Sequence, residues 1–213
     1  MDKITEKINE IITKVRDRYR EKEREITVSR IATCLRASYY TIEAGKEMSE
    51  KMIMGTELHT HFQRYLKEEM SREGYECYSE YELKHEKIKG RADMVCIGSN
   101  IGMVIELKFT SMPYKTNPFY PFWYRQLQIY VALAKKELVG KWKGVLIASS
   151  FDLSTWLVDV IDVQNPGEVL RTAEERYELL KKALETNAPP PPEKGKWCMH
   201  CSFFISCLNQ KLM

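Results

Sequence analysis

Two carboxylates and a lysine on a short strand pair are the residues of this chain whose types and spacing best suit a reaction. Gly90-Arg91-Ala92-Asp93 is followed by Ile105-Glu106-Leu107-Lys108. Strand alternation places Met94, Cys96, Met103, Ile105 and Leu107 on one apolar face and Arg91, Asp93, Glu106 and Lys108 on the other. With a turn centred between Ser99 and Asn100, Asp93 lies directly across from Glu106. Facing carboxylates are destabilising unless something positive lies between them. A divalent cation, hard and oxygen-seeking, is the natural occupant. Lys108 can reach the same place, to orient a water or steady charge on a phosphate. An isolated Glu-x-Lys is more often a salt-bridged surface; Asp93 in register shifts the balance toward chemistry.

Two helical pairs add ligand types. His59 lies four residues after Gly55, on one helical face. Imidazole suits manganese or iron, and the glycine lets a phosphate or another backbone approach. His61 points elsewhere and receives no role. Gln126 and Tyr130, also four apart, set an amide beside a phenol, fit for a phosphate or a bound water. Taken alone, each pair is more often a surface or packing feature.

The cysteines form a second constellation. Cys198, Cys201 and Cys207 make a C-x2-C-x5-C tail, and Cys34, beside Arg36, is the candidate fourth ligand. Such a set suits a soft metal and would tie the start of the chain to its end. Spacing alone leaves zinc, with His200 able to complete three cysteines, and iron–sulfur evenly matched. Cys77 and Cys96 fall in strands and are expected as small core residues.

The elements that must position these groups follow from periodicity and turn signals. Ile4, Ile8, Ile11, Val15 and Tyr19 mark an N-terminal helix. Ser29 is the expected N-cap of a helix carrying Cys34 and Arg36, and residues 55–70 form a third helix. Strands are expected over 75–83, 90–97 and 102–109, then a helix over 119–138, a strand pair over 143–150 and 155–163, and a charged amphipathic helix over 166–186. Pro189 to Pro192 ends that helix and acts as a stiff spacer. This divides the chain into an N-terminal helix (1–28), a central domain (29–188) and a cysteine tail (189–213). The aromatic run Phe119 to Arg125 suits either base stacking or core packing.

The composition sets bounds. With 213 residues, 44% hydrophobic and 30% charged, the chain is globular, and its length suits one domain with a full core or one domain with a small appendage. A net charge of +3 permits nucleic-acid binding without arguing for it. The N-terminus is not a signal peptide, and no run approaches the roughly 18 apolar residues that span a bilayer. The expectation is a cytoplasmic protein without a membrane anchor, its cysteines thiols or metal ligands rather than disulfides.

In order along the chain, Cys34, Gly55-Thr56-Glu57-Leu58-His59, Gly90-Arg91-Ala92-Asp93, Ile105-Glu106-Leu107-Lys108, Gln126-Leu127-Gln128-Ile129-Tyr130 and Cys198/Cys201/Cys207 resemble the RecB-like nucleases of the PD-(D/E)XK superfamily. Within them the pattern is similar to the iron–sulfur branch, above all the CRISPR-associated exonuclease called Cas-four. The resemblance runs from Cys34 to Cys207, although the hairpin lacks the proline of the superfamily's name. It implies an α/β restriction-endonuclease-like fold, a mixed central sheet flanked by helices with the active site on an exposed sheet face. It implies magnesium or manganese held by His59, Asp93, Glu106 and the carbonyl of Leu107, with Lys108 catalytic and Gln126 and Tyr130 assisting. It also implies a [4Fe–4S] cluster on Cys34, Cys198, Cys201 and Cys207. The implied activity is cleavage of single-stranded DNA, usually from an end, with CRISPR integration proteins as partners. The rivals are a repair or viral nuclease of the same fold, a non-catalytic module binding DNA or protein, and a zinc-binding regulator.

Overall fold

A computed structural model describes residues 4–7, 10, 25–44 and 50–209. Most of the expected N-terminal helix lies outside the described residues. The described elements are α1 (Val28–Ala32), α2 (Leu35–Ala44), α3 (Glu50–Arg72), β1 (Glu76–His85), β2 (Ile88–Ile97), β3 (Gly102–Phe109), α4 (Tyr120–Glu137), β4 (Trp142–Ser149), β5 (Trp156–Ile161), α5 (Pro166–Thr186), a 3-10 turn (Lys196–His200) and α6 (Phe204–Asn209).

The five strands form one sheet in the order β1-β2-β3-β4-β5. Neighbours pair antiparallel except β3 and β4, which are parallel. A parallel pair needs a crossover of a dozen or more residues, and α4 supplies it. Helices cover both faces. Val95, Val104 and Leu146 pack with residues of α1, α2, α4 and α5 in the larger cluster. Met94, Cys96, Ile105 and Leu107 pack beneath Phe62, Leu66 and Met70 of α3. This explains why β3 reads as an unbroken apolar run interrupted only by its charged pair. It also corrects the expected exposed sheet face: α4 covers the side carrying Glu106, which is 0% exposed.

Two local expectations also change. The helix expected from Ser29 through Arg36 is broken at Thr33 and Cys34; α1 ends there with Thr33 extended, and α2 begins at Leu35. The break is stabilised from outside. Arg176 of α5 donates to the carbonyls of Ile31 and Thr33, and Arg125 of α4 donates to that of Ala32 at 3.0 Å. Those guanidinium groups satisfy carbonyls that a helix end leaves without partners. The α1 N-cap is Thr27, not Ser29, with no side-chain cap bond.

Cys77 and Cys96 are core residues as expected, 5% and 0% exposed, but they are joined as a disulfide. The β1–β2 register sets them directly opposite one another, Cα atoms 4.1 Å apart. The expectation of free thiols rested on a reducing compartment, and nothing in Glu86-Lys87, the two-residue turn that lays β1 beside β2, signals a hairpin. Among the described residues no helix is long and apolar enough to cross a membrane.

Candidate active site

The β2–β3 turn occupies residues 98–101, and the pairs Met94↔Ile105 and Val95↔Val104 fix the register. Extended by one position, that register sets Asp93 opposite Glu106, as the centred turn required. At this point the regular ladder gives way to side-chain contacts. Asp93 Oδ2 accepts the Leu107 amide at 2.6 Å and lies 3.0 Å from His59 Nε2. His59 reaches the strands from α3. Lys108 Nζ bonds Glu106 Oε1. The structure thus brings His59, Asp93, Glu106 and Lys108 together from three elements.

Tyr130 joins them from α4. It is 2% exposed, and its hydroxyl donates to the Arg91 carbonyl at 2.8 Å. The carboxylates of Glu106 and Asp93 act on it electrostatically, and the Gln126 amide bonds to it. The expected pair on one helical face is therefore at the site, with Gln126 reaching it through Tyr130. Gly90 explains the fit: a Cβ there would stand 2.9 Å from the Tyr130 hydroxyl oxygen and 2.9 Å from Val28 Cβ. Gly90→Ala should displace that ring at a cost of about 1–3 kcal/mol. A thermal melt checks this, and an unshifted midpoint would show that the neighbours yield freely.

The electrostatics divide the two carboxyls. Burial alone would raise Asp93, yet Lys108, His59 and the Leu107 amide outweigh it and hold the group below the usual carboxylate range. Glu106 is pushed up to about 8, first by burial and then by the charge of Asp93, with Lys108 opposing. Burial works to lower Lys108 and His59, but the carboxylates overcome it and raise both.

The sign of the stability effect follows. Between the usual glutamate value, about 4.3, and about 8, folded Glu106 binds more protons than unfolded Glu106. Stability without metal therefore falls as pH rises through that window. His59, also raised, acts in the same sense. We expect the chelator-treated protein to melt progressively lower from about pH 5 to about pH 8, and Glu106→Gln to flatten most of that slope. A melting point that rises over the interval would contradict the assignment.

One atom tests whether a cation fits. Glu106 Oε2 is buried and has no hydrogen-bond partner. An ionised oxygen in that state is costly, and a divalent cation among Glu106, Asp93 and His59 would satisfy it. Among the described residues, no three His, Cys, Asp or Glu side chains are gathered closely enough to hold an ion as they stand. Lys108 occupies the charge-balancing role on Glu106, so loading requires that ammonium to turn aside.

Three neighbours escaped the sequence reading. Gln63, 6% exposed and four residues beyond His59, donates its amide to the Asp93 carbonyl. Its helical spacing from His59 was the available signal. Glu80 lies on β1 between Ser79↔Met94 and Tyr81↔Ala92, opposite Asp93, with φ 51°. Its charge acts on His59, Lys108 and Tyr130. The third is an aromatic strip: Phe62 contacts Phe109, adjacent to Lys108, at 5.9 Å and Trp156 at 5.0 Å between ring centroids. By contrast, the run 119–125 packs inward in part. Phe122 is 5% exposed and packs at a tilt against Trp197, and Phe119 meets His200.

The four remaining cysteines are free, and all line one cavity of about 820 Å³. Burial pushes the Cys201 thiol up, and the neighbouring Cys34, Cys198 and Cys207 add to the shift. A soft-metal group suits this donor set, a thiol quartet in a pocket walled by Tyr40, Phe119 and Phe203.

Solved structures with the same fold include SSO0001 (24% identity, TM-score 0.58, covering 88% of this chain and 87% of that one). An alkaline exonuclease from Laribacter hongkongensis aligns at 16% identity and TM-score 0.54 over 78% and 92% of the two chains. A protein named as a candidate exonuclease from Eubacterium rectale aligns at 12% identity and TM-score 0.55 over 89% of each. No curated protein matches the sequence. The sequence profile of the PD-(D/E)XK nuclease superfamily matches residues 3–208, so nearly the whole chain, carrying the Asp93–Glu106–Lys108 set, belongs to that superfamily.

Proposed function

We propose that this nuclease hydrolyses phosphodiester bonds of single-stranded DNA, or of DNA with single-stranded ends, as a magnesium- or manganese-dependent exonuclease. The observation that carries the reading is the buried, unpartnered Oε2 of Glu106 beside Asp93 and His59. Those three side chains, with the Leu107 carbonyl, would hold the cation. When bound, the cation supplies Lewis-acid polarisation of the phosphate and acidifies a water.

The chain's own groups do the rest. Lys108, released from Glu106, donates to the attacking water or to the phosphoryl oxygen where charge develops. Asp93 keeps its charge because His59 and the Leu107 amide hold it. Tyr130, fixed on the Arg91 carbonyl, keeps bulk water from the floor of the site, and Gln126 steadies that ring. Trp156, 42% exposed and tilted against Phe62, offers an unpaired base a platform one helical turn along α3 from His59.

The four-cysteine cavity supports a [4Fe–4S] cluster. All four free cysteines line it. A role in preparing fragments for CRISPR arrays, with integration proteins as partners, rests on the order of motifs alone.

The test is digestion of end-labelled single-stranded DNA with manganese, comparing the wild type, Asp93→Ala and excess chelator. Cleavage only by the metal-loaded wild type is expected. A folded wild type that leaves the strand intact would overturn the reading in favour of a binding module.

A further inference from the structure

Glu193 lies in the tail between the proline run and the cysteines, and both its polar ends are engaged. Its carboxylate accepts the Leu35 amide at 2.8 Å, and Arg176 donates to its two oxygens at 2.9 and 3.1 Å. Arg125 stands 3.7 Å away. Its carbonyl accepts the Trp197 indole at 3.2 Å and lies 3.8 Å from the Cys198 sulfur. Leu35 directly follows Cys34. The side chain of one residue therefore fixes the segment carrying Cys34, while its carbonyl meets Trp197 and Cys198. Arg176 strengthens the link from the other side, since the same guanidinium holds the carbonyls of Ile31 and Thr33. A parallel strap is made by Arg36, which donates to the Pro190 carbonyl at 2.6 Å and lies 3.8 Å from the Cys207 sulfur.

We propose that Glu193 is a positioning residue for the cysteine cavity, clasping the segments of Cys34 and Cys198 at one place before any metal arrives. The clasp rests on the reading of that cavity as a soft-metal site. Two-point guanidinium–carboxylate bonding gives it geometric specificity as well as strength. With Arg176 14% and Glu193 28% exposed, it is better shielded than a surface ion pair. The advantage is entropic: the site joins residues far apart in sequence, and a preformed clasp spares metal binding the cost of closing that loop.

The test needs no metal. Protein cleared of metal by chelator and mildly reduced is treated with dibromobimane, which bridges two nearby thiols, and the bridged peptides are mapped by mass spectrometry. The wild type should give a bridge between Cys34 and a tail cysteine. Glu193→Ala should cut that bridge at least about tenfold while leaving the Cys198–Cys201 bridge, internal to the tail, unchanged. Glu193→Gln keeps an acceptor for Leu35 but loses the charge for Arg176, and should fall between. It also serves if the alanine variant does not melt cooperatively. A Cys34 bridge at the wild-type level in a folded Glu193 variant would overturn the proposal. Anaerobic iron loading is read separately: visible absorbance should appear in the wild type and fall with the bridge in the variants. A wild type that binds no iron but whose bridge still depends on Glu193 would sink the cluster and leave the clasp standing.

Discussion

Glu106→Ala should lower metal-dependent cleavage by about a thousandfold or more, without loss of the fold. The size of the effect follows from what the residue lacks. Glu106 is fully buried, one oxygen on Lys108 and the other on nothing. In the free protein it is an electrostatic liability, tolerable because its proton is retained to about pH 8. Natural sequences keep such liabilities where function needs them and often gain stability when they are removed. The expected result is thus double: activity collapses while the chelated variant stays cooperatively folded. Lys108→Ala should match it in activity, because among the described residues no other ammonium acts on Glu106 or Asp93. Tyr130→Phe should cost far less, about tenfold, since its hydroxyl is spent on the Arg91 carbonyl. Initial rates on an end-labelled strand at saturating manganese separate these cases. A Glu106→Ala enzyme within tenfold of wild type would remove this carboxylate from the reaction.

What sequence made legible here was set by turn signals: Gly98 and Asn100 mark the β2–β3 turn, whereas nothing in Glu86-Lys87 marks the tighter one between β1 and β2. The Asp93–Glu106 opposition could be read because a four-residue turn fixes the hairpin register, and one wrong residue would have put Asp93 on the other face. His59, Gln126 and Tyr130 were legible through helical spacing, though nothing local said that α3 and α4 converge on the same end of the sheet. Glu80 was not legible. Its place depends on the β1–β2 pairing and on a positive φ that no glycine or asparagine announces. The disulfide escaped for the same reason, since Cys77 and Cys96 meet only once β1 is laid beside β2. The burial of the face carrying Glu106 escaped because a largely apolar strand does not say which helix covers which side. Glu193 and Arg176 carried no signal at all: each is one charge among many, and their meaning lies in helix-end carbonyls exposed by a break at Thr33.

If the cavity holds the proposed cluster, Cys34→Ala should lower bound iron from about four atoms per chain to fewer than one, although the other three cysteines remain. A cubane with one corner open to a pocket is exposed to solvent and oxygen, and Arg36 cannot substitute as a donor. The choice of Cys34 over a tail cysteine makes the test sharp. Zinc could fall back on Cys198, Cys201, Cys207 and His200 without leaving the tail, so a zinc site would survive this variant. His200 packs against Phe119, 6.2 Å between ring centroids, on the wall of the same cavity, so the fallback is within local reach. The stability readout separates the cases further. Loss of a tightly bound group present at several hundred times its dissociation constant lowers stability by about 3–4 kcal/mol. That loss should appear in the iron-loaded comparison and vanish when both proteins are stripped. The iron reading therefore requires a pale variant that melts lower than the loaded wild type and level with the stripped one. A colourless wild type that retains one zinc, with Cys34→Ala retaining it too, would move Cys34 out of the site and leave the cavity as the packing face of a zinc-stapled tail.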